Sequence, residues 1–380
     1  MPSATRAPRS VVFLDDDPAV RLVRALVSAP LPAAIRDWLP AYFWPEPPPD
    51  PGTRFGAIRR SIGWPCDATG VHLADPVNAP PEVRDSIEAI VFRRGVVDRA
   101  LVDALPRLRI IQRFGARTPG IDAATAAAIS ARRIAVCVFP RPSLASVAEH
   151  TIALLFAVRR RLRELDAATR AGRLARVDRP TSDPVTYNWT GAPATGLIRT
   201  SRIGILGLGE VGADLARLLG GLGAEVLYCN RRRLDPERER ELQVEFRSLD
   251  ALLAEVDALI VAATPPADGV AVIGAQELAR MRPTSIVVNV ARGSLIDESA
   301  LADALERGRI AGAGLDVYAH EPLSPSSRLV RLSNAVLTPH VAGGTRTELL
   351  DEVAAVAANV AAALRGEPPA HQVSAAGGHP

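Results

Sequence analysis

The chain has 380 residues, enough for two domains with sizeable cores. Its formal charge of +3 arises from interleaved acids and bases with no long basic block, which argues against nucleic acid as a partner, and no apolar run is long enough to span a membrane. All 45 basic residues are arginine, so Schiff-base chemistry on lysine and a phosphate-loop lysine are both excluded.

Residues 1 to 9 read as a flexible tail. The apolar run Val11 to Leu14 is too short for a secretory core and meets Asp15 to Asp17 at once, so a cytoplasmic protein is expected. Ser10 to Leu14 reads as a strand, Ala19 to Val27 as a helix, and the proline-rich stretch Leu39 to Gly52 as a loop. From there to about Ala79, Gly63, Pro65, Gly70 and Pro76 break the chain into short pieces. Regular structure is expected again in helix Pro81 to Ser86, strand Ala89 to Phe92, helix Asp98 to Leu105 and strand Arg109 to Ile111, followed by a turn at Arg113 to Gly120. Apolar positions from Val147 to Leu165 mark one long helix over Ser146 to about Arg173, with a basic interruption at Arg159 to Arg161. Val177 to Thr200 reads as irregular. Cys66, Cys137 and Cys229 are far apart, without CxxC or zinc-type histidine spacing, so no disulfide framework or metal site is indicated and all three are expected reduced and buried.

The segment Ser201 to Arg233 carries the most specific pattern. Ile203, Ile205 and Leu206 form a strand, Gly207, Leu208, Gly209, Glu210, Val211 and Gly212 form GxGxxG, Val211, Leu215, Leu218 and Leu222 stripe a helix, and Glu225 to Tyr228 returns as a strand. Gly207 allows the sharp turn, Gly209 lets backbone approach a pyrophosphate, and Gly212 lets the helix pack on the strand. The helix amino terminus offers that phosphate unpaired N–H groups. An acid after the second strand would select NAD, but this chain has Asn230, Arg231, Arg232 and Arg233. A 2′-phosphate beside a carboxylate would meet a repulsion of roughly 4 kcal/mol, whereas a guanidinium attracts it. NADP is therefore the expected cofactor, with NAD as the alternative.

Alternation continues through helix Leu249 to Val256, strand Ala258 to Ala262, helix Ala275 to Arg280, strand Ser285 to Asn289, helix Glu298 to Arg307, and strands Ala313 to Val317 and Ala335 to Thr338. A last helix, Arg346 to Leu364, follows the final nucleotide-domain strand and is expected to return to the first domain. The fold class read from this order is α/β: two Rossmann- or flavodoxin-like parallel-sheet domains with a cleft between them. The expected boundaries are 1–146 plus 346–380 for a discontinuous substrate domain and 147–345 for the nucleotide domain.

Three segments just beyond expected strands stand out: VNVARGSLIDESAL with Arg292, GAGLDVYAHEP with Asp316 and Glu321, and LTPHVAGGT with His340. With VAEHTIALL at Val147 to Leu155 and the GxGxxG unit, the chain from about Leu105 to Pro369 resembles the D-isomer-specific 2-hydroxyacid dehydrogenase family, which includes glyoxylate/hydroxypyruvate reductases and 3-phosphoglycerate dehydrogenases. The resemblance implies that Arg292 binds the substrate carboxylate and polarises the carbonyl, Glu321 orients the histidine, and His340 donates the proton. The residue types suit that chemistry. A guanidinium holds a planar carboxylate with two parallel hydrogen bonds, and an imidazolium can protonate the alkoxide that hydride arrival creates. The resemblance also sets Val290, Ala291, Arg292, Asp316, His340 and Gly343 against the cofactor, with Asp316 at the nicotinamide carboxamide and Thr264 near a ribose. His150, inside the VAEH segment, is expected to cap or pack its helix.

The match weakens in the first lobe. Where the family's substrate loop reads like GVGxDNID, this chain has GARTPGID at Gly115 to Asp122. Arg117 replaces a glycine and Pro119 removes an N–H donor, which is read as altered specificity with Gly115, Ala116 and Arg117 meeting the substrate, against the alternative of a lost pocket. The leading expectation is an NADP-preferring reductase of a small 2-oxo acid, glyoxylate or hydroxypyruvate, working as a homodimer. The enzyme alternative is NAD-dependent D-3-phosphoglycerate dehydrogenase, and the non-enzyme alternative is an NAD(H)-sensing corepressor.

Overall fold

The computed structural model describes residues 9–28, 30, 33, 51–72, 75–115, 121–139, 141–174, 196–343 and 346–375. The chain divides into two compact units, Met1–Ser143 with Thr345–Pro380, and Leu144–Gly344.

In the first unit, strands Arg9–Phe13 (β1), Ala68–His72 (β2), Ile87–Phe92 (β3), Ile110–Phe114 (β4) and Ala135–Phe139 (β5) form a parallel sheet in the order β2-β1-β3-β4-β5. Side-chain alternation along the strands sorts their apolar residues into two layers, one on each face. Val11, Phe13, Ala89 and Val91 pack with the helices Pro18–Val27 and Arg346–Arg365, while Val12, Ile90 and Phe92 pack with Leu101, Val102 and Ile129 from the helices Arg99–Ala104 and Ala123–Ala131. The Arg346–Arg365 helix follows the second unit in sequence, yet Leu350, Val353, Val356, Val360 and Leu364 are buried in the first unit's core. Its Asn359 Nδ2 donates to Gln112 Oε1 at 2.6 Å and to the Ala370 carbonyl at 2.9 Å. The segment after the helix then borders β5, with Val138 N–H donating to His371 O and Val373 N–H to Val136 O, which covers an otherwise open sheet edge.

In the second unit, strands Arg202–Leu206 (β6), Glu225–Cys229 (β7), Val244–Phe246 (β8), Ala258–Val261 (β9), Ile286–Asn289 (β10), Gly312–Leu315 (β11) and Ala335–Leu337 (β12) form one parallel sheet. Their order is β12-β11-β10-β9-β6-β7-β8. One face buries Ile203, Ile205, Val226, Ile260 and Val288 under the helices Leu144–Arg159 and Glu210–Gly221. The other buries Leu206, Leu227, Leu259, Val287 and Leu315 under Leu249–Glu255, Ala275–Arg280 and Glu298–Glu306. Both units are thus Rossmann-like, with helices on both sides of a parallel sheet. No helix among the described residues is long and apolar enough to cross a membrane.

Several elements differ from the sequence expectation. Pro51 and Gly52 open the helix Pro51–Ser61 and do not end a loop; a proline at the first helical position needs no N–H partner, and Phe55, fully buried, anchors the helix. The helix Ala123–Ala131 and strand β5 were not anticipated, because an alanine-rich run has no apolar stripe; Asp122 starts the helix by accepting from Thr125 N–H at 2.7 Å. The long helix expected over Ser146 to Arg173 is two, Leu144–Arg159 and Leu162–Arg170, broken where Arg161 takes a left-handed φ of 51° and pairs with Glu164. The helix Pro236–Leu242 and strand β8 lie between the expected strand Glu225 to Tyr228 and the expected helix Leu249 to Val256, where the sequence pattern assigned no element. Of the three free cysteines only Cys137 is buried; Cys229 is half-buried and Cys66 exposed. Positions 39–50 of the proline-rich stretch lie outside the described residues.

Because Asn359 joins the returning helix, β4 and the terminal segment through buried hydrogen bonds, Asn359→Ala should destabilise the first unit by about 1–3 kcal/mol, read as a lower urea midpoint. An unchanged midpoint would show that the amide contributes nothing.

Candidate active site

Because every strand of the second unit runs the same way, the residues following β12, β11, β10, β9, β6 and β7 emerge along a single sheet edge. In that order the edge carries His340, then Asp316 and Glu321, then Val290 to Arg292, then Thr264, then the glycine turn, then Asn230 to Arg233. Strands about 4.8 Å apart make this a row on the scale of an extended dinucleotide. The carboxyl ends of an open parallel sheet are where such ligands lie.

The glycine turn has three different environments. Gly207 has φ 99°, and a Cβ there would lie 2.4 Å from the Ala263 Cα; Gly212 sits on the Gly207 carbonyl, where a Cβ would approach to 2.6 Å. Around Gly209 a Cβ would meet nothing within 4 Å, and Gly209 starts the Glu210–Gly221 helix without a side-chain cap. Two glycines are therefore demanded by packing, and the third leaves open space before a helix amino terminus, the cradle a pyrophosphate needs. Leu208 is buried, Glu210 and Val211 are half-buried, and Leu208 N–H donates to Asn230 Oδ1 at 2.7 Å. Asn230 therefore ties the basic loop to the turn.

The three arginines after Asn230 have unequal environments. Arg233 donates to both Glu239 carboxylate oxygens, at 2.9 and 2.8 Å. Tyr228 O–H also donates to Glu239, at 2.6 Å, and accepts from Leu234 N–H at 2.9 Å. The Arg233 and Tyr228 donors hold the Glu239 carboxyl down at about 2, while burial and the neighbouring carboxylate push the Tyr228 hydroxyl up to about 12. Arg231 and Arg232 are exposed and, among the described residues, have no hydrogen-bond or ion-pair partner.

At the other end of the row, His340 Nδ1 lies 2.6 Å from Glu321 Oε2, and Glu321 Oε1 accepts from Tyr318 N–H at 3.1 Å. The carboxylate thus fixes the ring through Nδ1, and Nε2 has no hydrogen-bond partner among the described residues. His340 has a left-handed φ of 55°, a conformation that costs a non-glycine residue about 1–3 kcal/mol. Asp316 holds it there. Fully buried, its carboxylate accepts from Thr338 Oγ1 at 2.6 Å on one side of His340 and from the N–H groups of Val341 and Ala342 at 3.0 and 2.9 Å on the other. His150 lies mid-helix and does not cap it; its Nε2 bonds Thr338 Oγ1 at 3.0 Å and lies 3.4 Å from Asp316.

Arg292 is exposed at the start of the turn Gly293–Leu295, with Nη1 donating to its neighbour's carbonyl at 2.6 Å. Gly293 beside it is pressed against Tyr318, where a Cβ would come within 1.9 Å of the carbonyl carbon, so the loops after β10 and β11 bear on each other there. Asn289, which the sequence reading passed over, clamps this loop: Oδ1 accepts from Ala291 N–H and Nδ2 donates to Arg292 O. Its signal was the buried amide at a strand end, which must find backbone partners. Val290 is buried, Ala291 half-buried, and Thr264 and Gly343 exposed. Gly115, at the end of β4, exchanges backbone hydrogen bonds with Phe139; Ala116 and Arg117 lie outside the described residues. Among the described residues, no group of three or more His, Cys, Asp or Glu could hold a metal ion.

Fold and edge together define a dinucleotide-binding protein of the dehydrogenase type, and comparison with known proteins gives its family. Residues 152–342 match the family model described as D-isomer specific 2-hydroxyacid dehydrogenase, NAD binding domain. Glyoxylate reductase of Thermococcus gammatolerans is 35% identical over 289 residues, 76% of this chain and 83% of the relative. D-3-phosphoglycerate dehydrogenase of Mycobacterium leprae is 35% identical over 283 residues, 74% of this chain but 50% of the relative. The solved structure of an NADPH-dependent glyoxylate/hydroxypyruvate reductase from Sinorhizobium meliloti, in complex with NADP and malonate, is 25% identical with a TM-score of 0.51, covering 99% of each chain. The chain belongs to the D-isomer-specific 2-hydroxyacid dehydrogenase family, whose members act with NAD(P).

The glycine environments generate a paired test. Gly209→Ala should fold normally yet weaken NAD(P)H binding, followed by nucleotide fluorescence, about tenfold or more, in line with the about 1–3 kcal/mol that overpacking costs. Gly207→Ala should instead lose thermal stability. Equal behaviour of the two variants would contradict the division of roles.

Proposed function

We propose that the protein is an NADP-preferring reductase of a small 2-oxo acid, with glyoxylate and hydroxypyruvate as the leading substrates. The observation that carries this reading is the 2.6 Å Glu321–His340 pair, on the same sheet edge as Arg292 and the open glycine turn. When bound, the dinucleotide supplies the hydride to the carbonyl carbon of the acid, and takes it back in the reverse direction. The chain's own residues do the rest. Arg292 binds the substrate carboxylate through its fork of N–H groups and draws electron density from the carbonyl, a geometry lysine does not reproduce. His340 delivers a proton from Nε2 to the carbonyl oxygen, and Glu321 steadies the charged ring through Nδ1. In this reading the unit Leu144–Gly344 holds the dinucleotide, while Gly115, Ala116 and Arg117 select the acid.

The NADP preference is supported by Arg231 and Arg232, which are exposed and uncommitted among the described residues, and by Asn230 where an acid would repel a 2′-phosphate. The 25% identical S. meliloti structure holds NADP, which is consistent with the same choice. A homodimer and a cytoplasmic location complete the reading.

The decisive experiment is a panel of 2-oxo acids, including glyoxylate, hydroxypyruvate and its 3-phosphate, assayed with NADPH and NADH in parallel. Oxidation of neither nucleotide by any acid would remove the enzyme reading. In the same assay His340→Gln should lower kcat by about 10²- to 10⁴-fold with nucleotide affinity retained. Arg292→Ala should raise KM for the acid and lower kcat, and Arg292→Lys should restore little.

Asn230→Asp is a clean probe of cofactor choice, because a carboxylate keeps the acceptor for Leu208 N–H while adding a charge. It should shift preference towards NADH; an unchanged NADPH-to-NADH ratio of kcat/KM would remove the NADP argument.

A further inference from the structure

The loop from Asn230 to Leu234 is fastened at both ends by side-chain hydrogen bonds, from half-buried Asn230 at its start and buried Tyr228 at its end. Asn230 Oδ1 secures its start to Leu208 N–H at 2.7 Å. At its end, Tyr228, fully buried on β7, accepts from Leu234 N–H at 2.9 Å and donates to Glu239 at 2.6 Å, while Arg233 spans both oxygens of that carboxylate. Phe246 closes the cluster: its ring meets Tyr228 edge-on at 5.5 Å, and the Arg233 guanidinium lies 5.7 Å from its centre. Glu239 is only 9% exposed, and a carboxylate at that depth costs free energy unless fully partnered. Arg231 and Arg232 are the two residues bracketed by these fastenings.

We propose that Tyr228, Arg233 and Glu239 form a positioning device for cofactor discrimination, holding Arg231 and Arg232 where they read a phosphate on the 2′-oxygen of the adenosine ribose. The inference rests on the NADP reading above. Arg233 has two effects in it. It anchors the loop, and it neutralises a carboxylate that would otherwise compete for the reading arginines and repel the phosphate. Third in a run of three arginines, it sets the geometry of the other two and leaves the phosphate to them.

The test measures binding of adenosine fragments, which needs no turnover. Calorimetric affinities for 2′,5′-ADP and 5′-AMP give a discrimination ratio, expected well above one in the native protein. Tyr228→Phe removes one hydroxyl and keeps the ring; Arg233→Met removes the anchor and bares the carboxylate. Each should lower the ratio by about threefold or more, as loss of a hydrogen bond predicts, through weaker 2′,5′-ADP binding with 5′-AMP affinity retained. Arg233→Lys should recover part of the ratio. If Arg233→Met fails to fold, Tyr228→Phe decides alone. A ratio unchanged in these variants but lost in Arg231→Ala/Arg232→Ala would overturn the positioning role and leave the NADP reading standing. A native ratio near one would remove that reading, and the inference with it.

Discussion

The second unit depends on uniform strand direction. Seven parallel strands cannot pair without crossover helices on both faces, and those helices bury the sheet, so most of its apolar sequence is spent on the two layers. What remains for chemistry is the row of short loops at the carboxyl edge. Each contributes a few residues, and strand order alone decides which of them become neighbours. His340, Glu321 and Arg292 follow β12, β11 and β10, three adjacent strands, whereas the glycine turn and the basic loop follow β6 and β7.

Within that row, side-chain acceptors provide the rigidity, three of them buried and Asn230 half-buried. Asp316, Asn289, Asn230 and Glu239 each stand at or near the end of a strand or in a short helix, and each takes hydrogen bonds from a loop that carries a candidate functional side chain. The arrangement is economical because a buried acceptor must be partnered anyway, and backbone N–H groups of an irregular loop are themselves in need of partners. Asp316 is the clearest case. Its bonds on either side of His340 offset the cost of a left-handed backbone and leave the imidazole outside, free to meet Glu321. Its carboxylate is thereby engaged within the unit, in addition to the cofactor contact that family resemblance implied for it.

Much of this was legible in advance, unevenly. Apolar strand runs such as Ile203 to Leu206 and Ser285 to Asn289 are so constrained by burial on both sides that their positions in the structure differ from the expected ones by about a residue. Elements whose stability comes from a neighbour were illegible: Ala123–Ala131 is alanine-rich and stripeless, Pro51–Ser61 is held by Phe55 and Ile58 against the core and by Arg59 on the carbonyls of Leu26 and Ser28, and the break at Arg161 is a single dihedral choice. The same holds within the site. Gly207, Arg292, Glu321 and His340 announce themselves by residue type and motif, but His150 looked like a helix residue and Arg233 like another member of a basic run.

The amino-acid sequence by itself determined the alternation of strand and helix, the glycine turn, and the presence of a guanidinium, a carboxylate and an imidazole in three strand-end segments. These are local facts, set by periodicity, backbone permissiveness and the chemistry of single side chains. Only the tertiary structure decided that Glu321 reaches His340, that Asp316 grips the loop on both sides of it, and that of three consecutive exposed arginines one is paired with Glu239 while the other two have no partner among the described residues. The reason is physical: a polar side chain's partner is chosen by distance and desolvation among residues far apart in the chain, and neither quantity exists until the strands have paired and the helices have covered them.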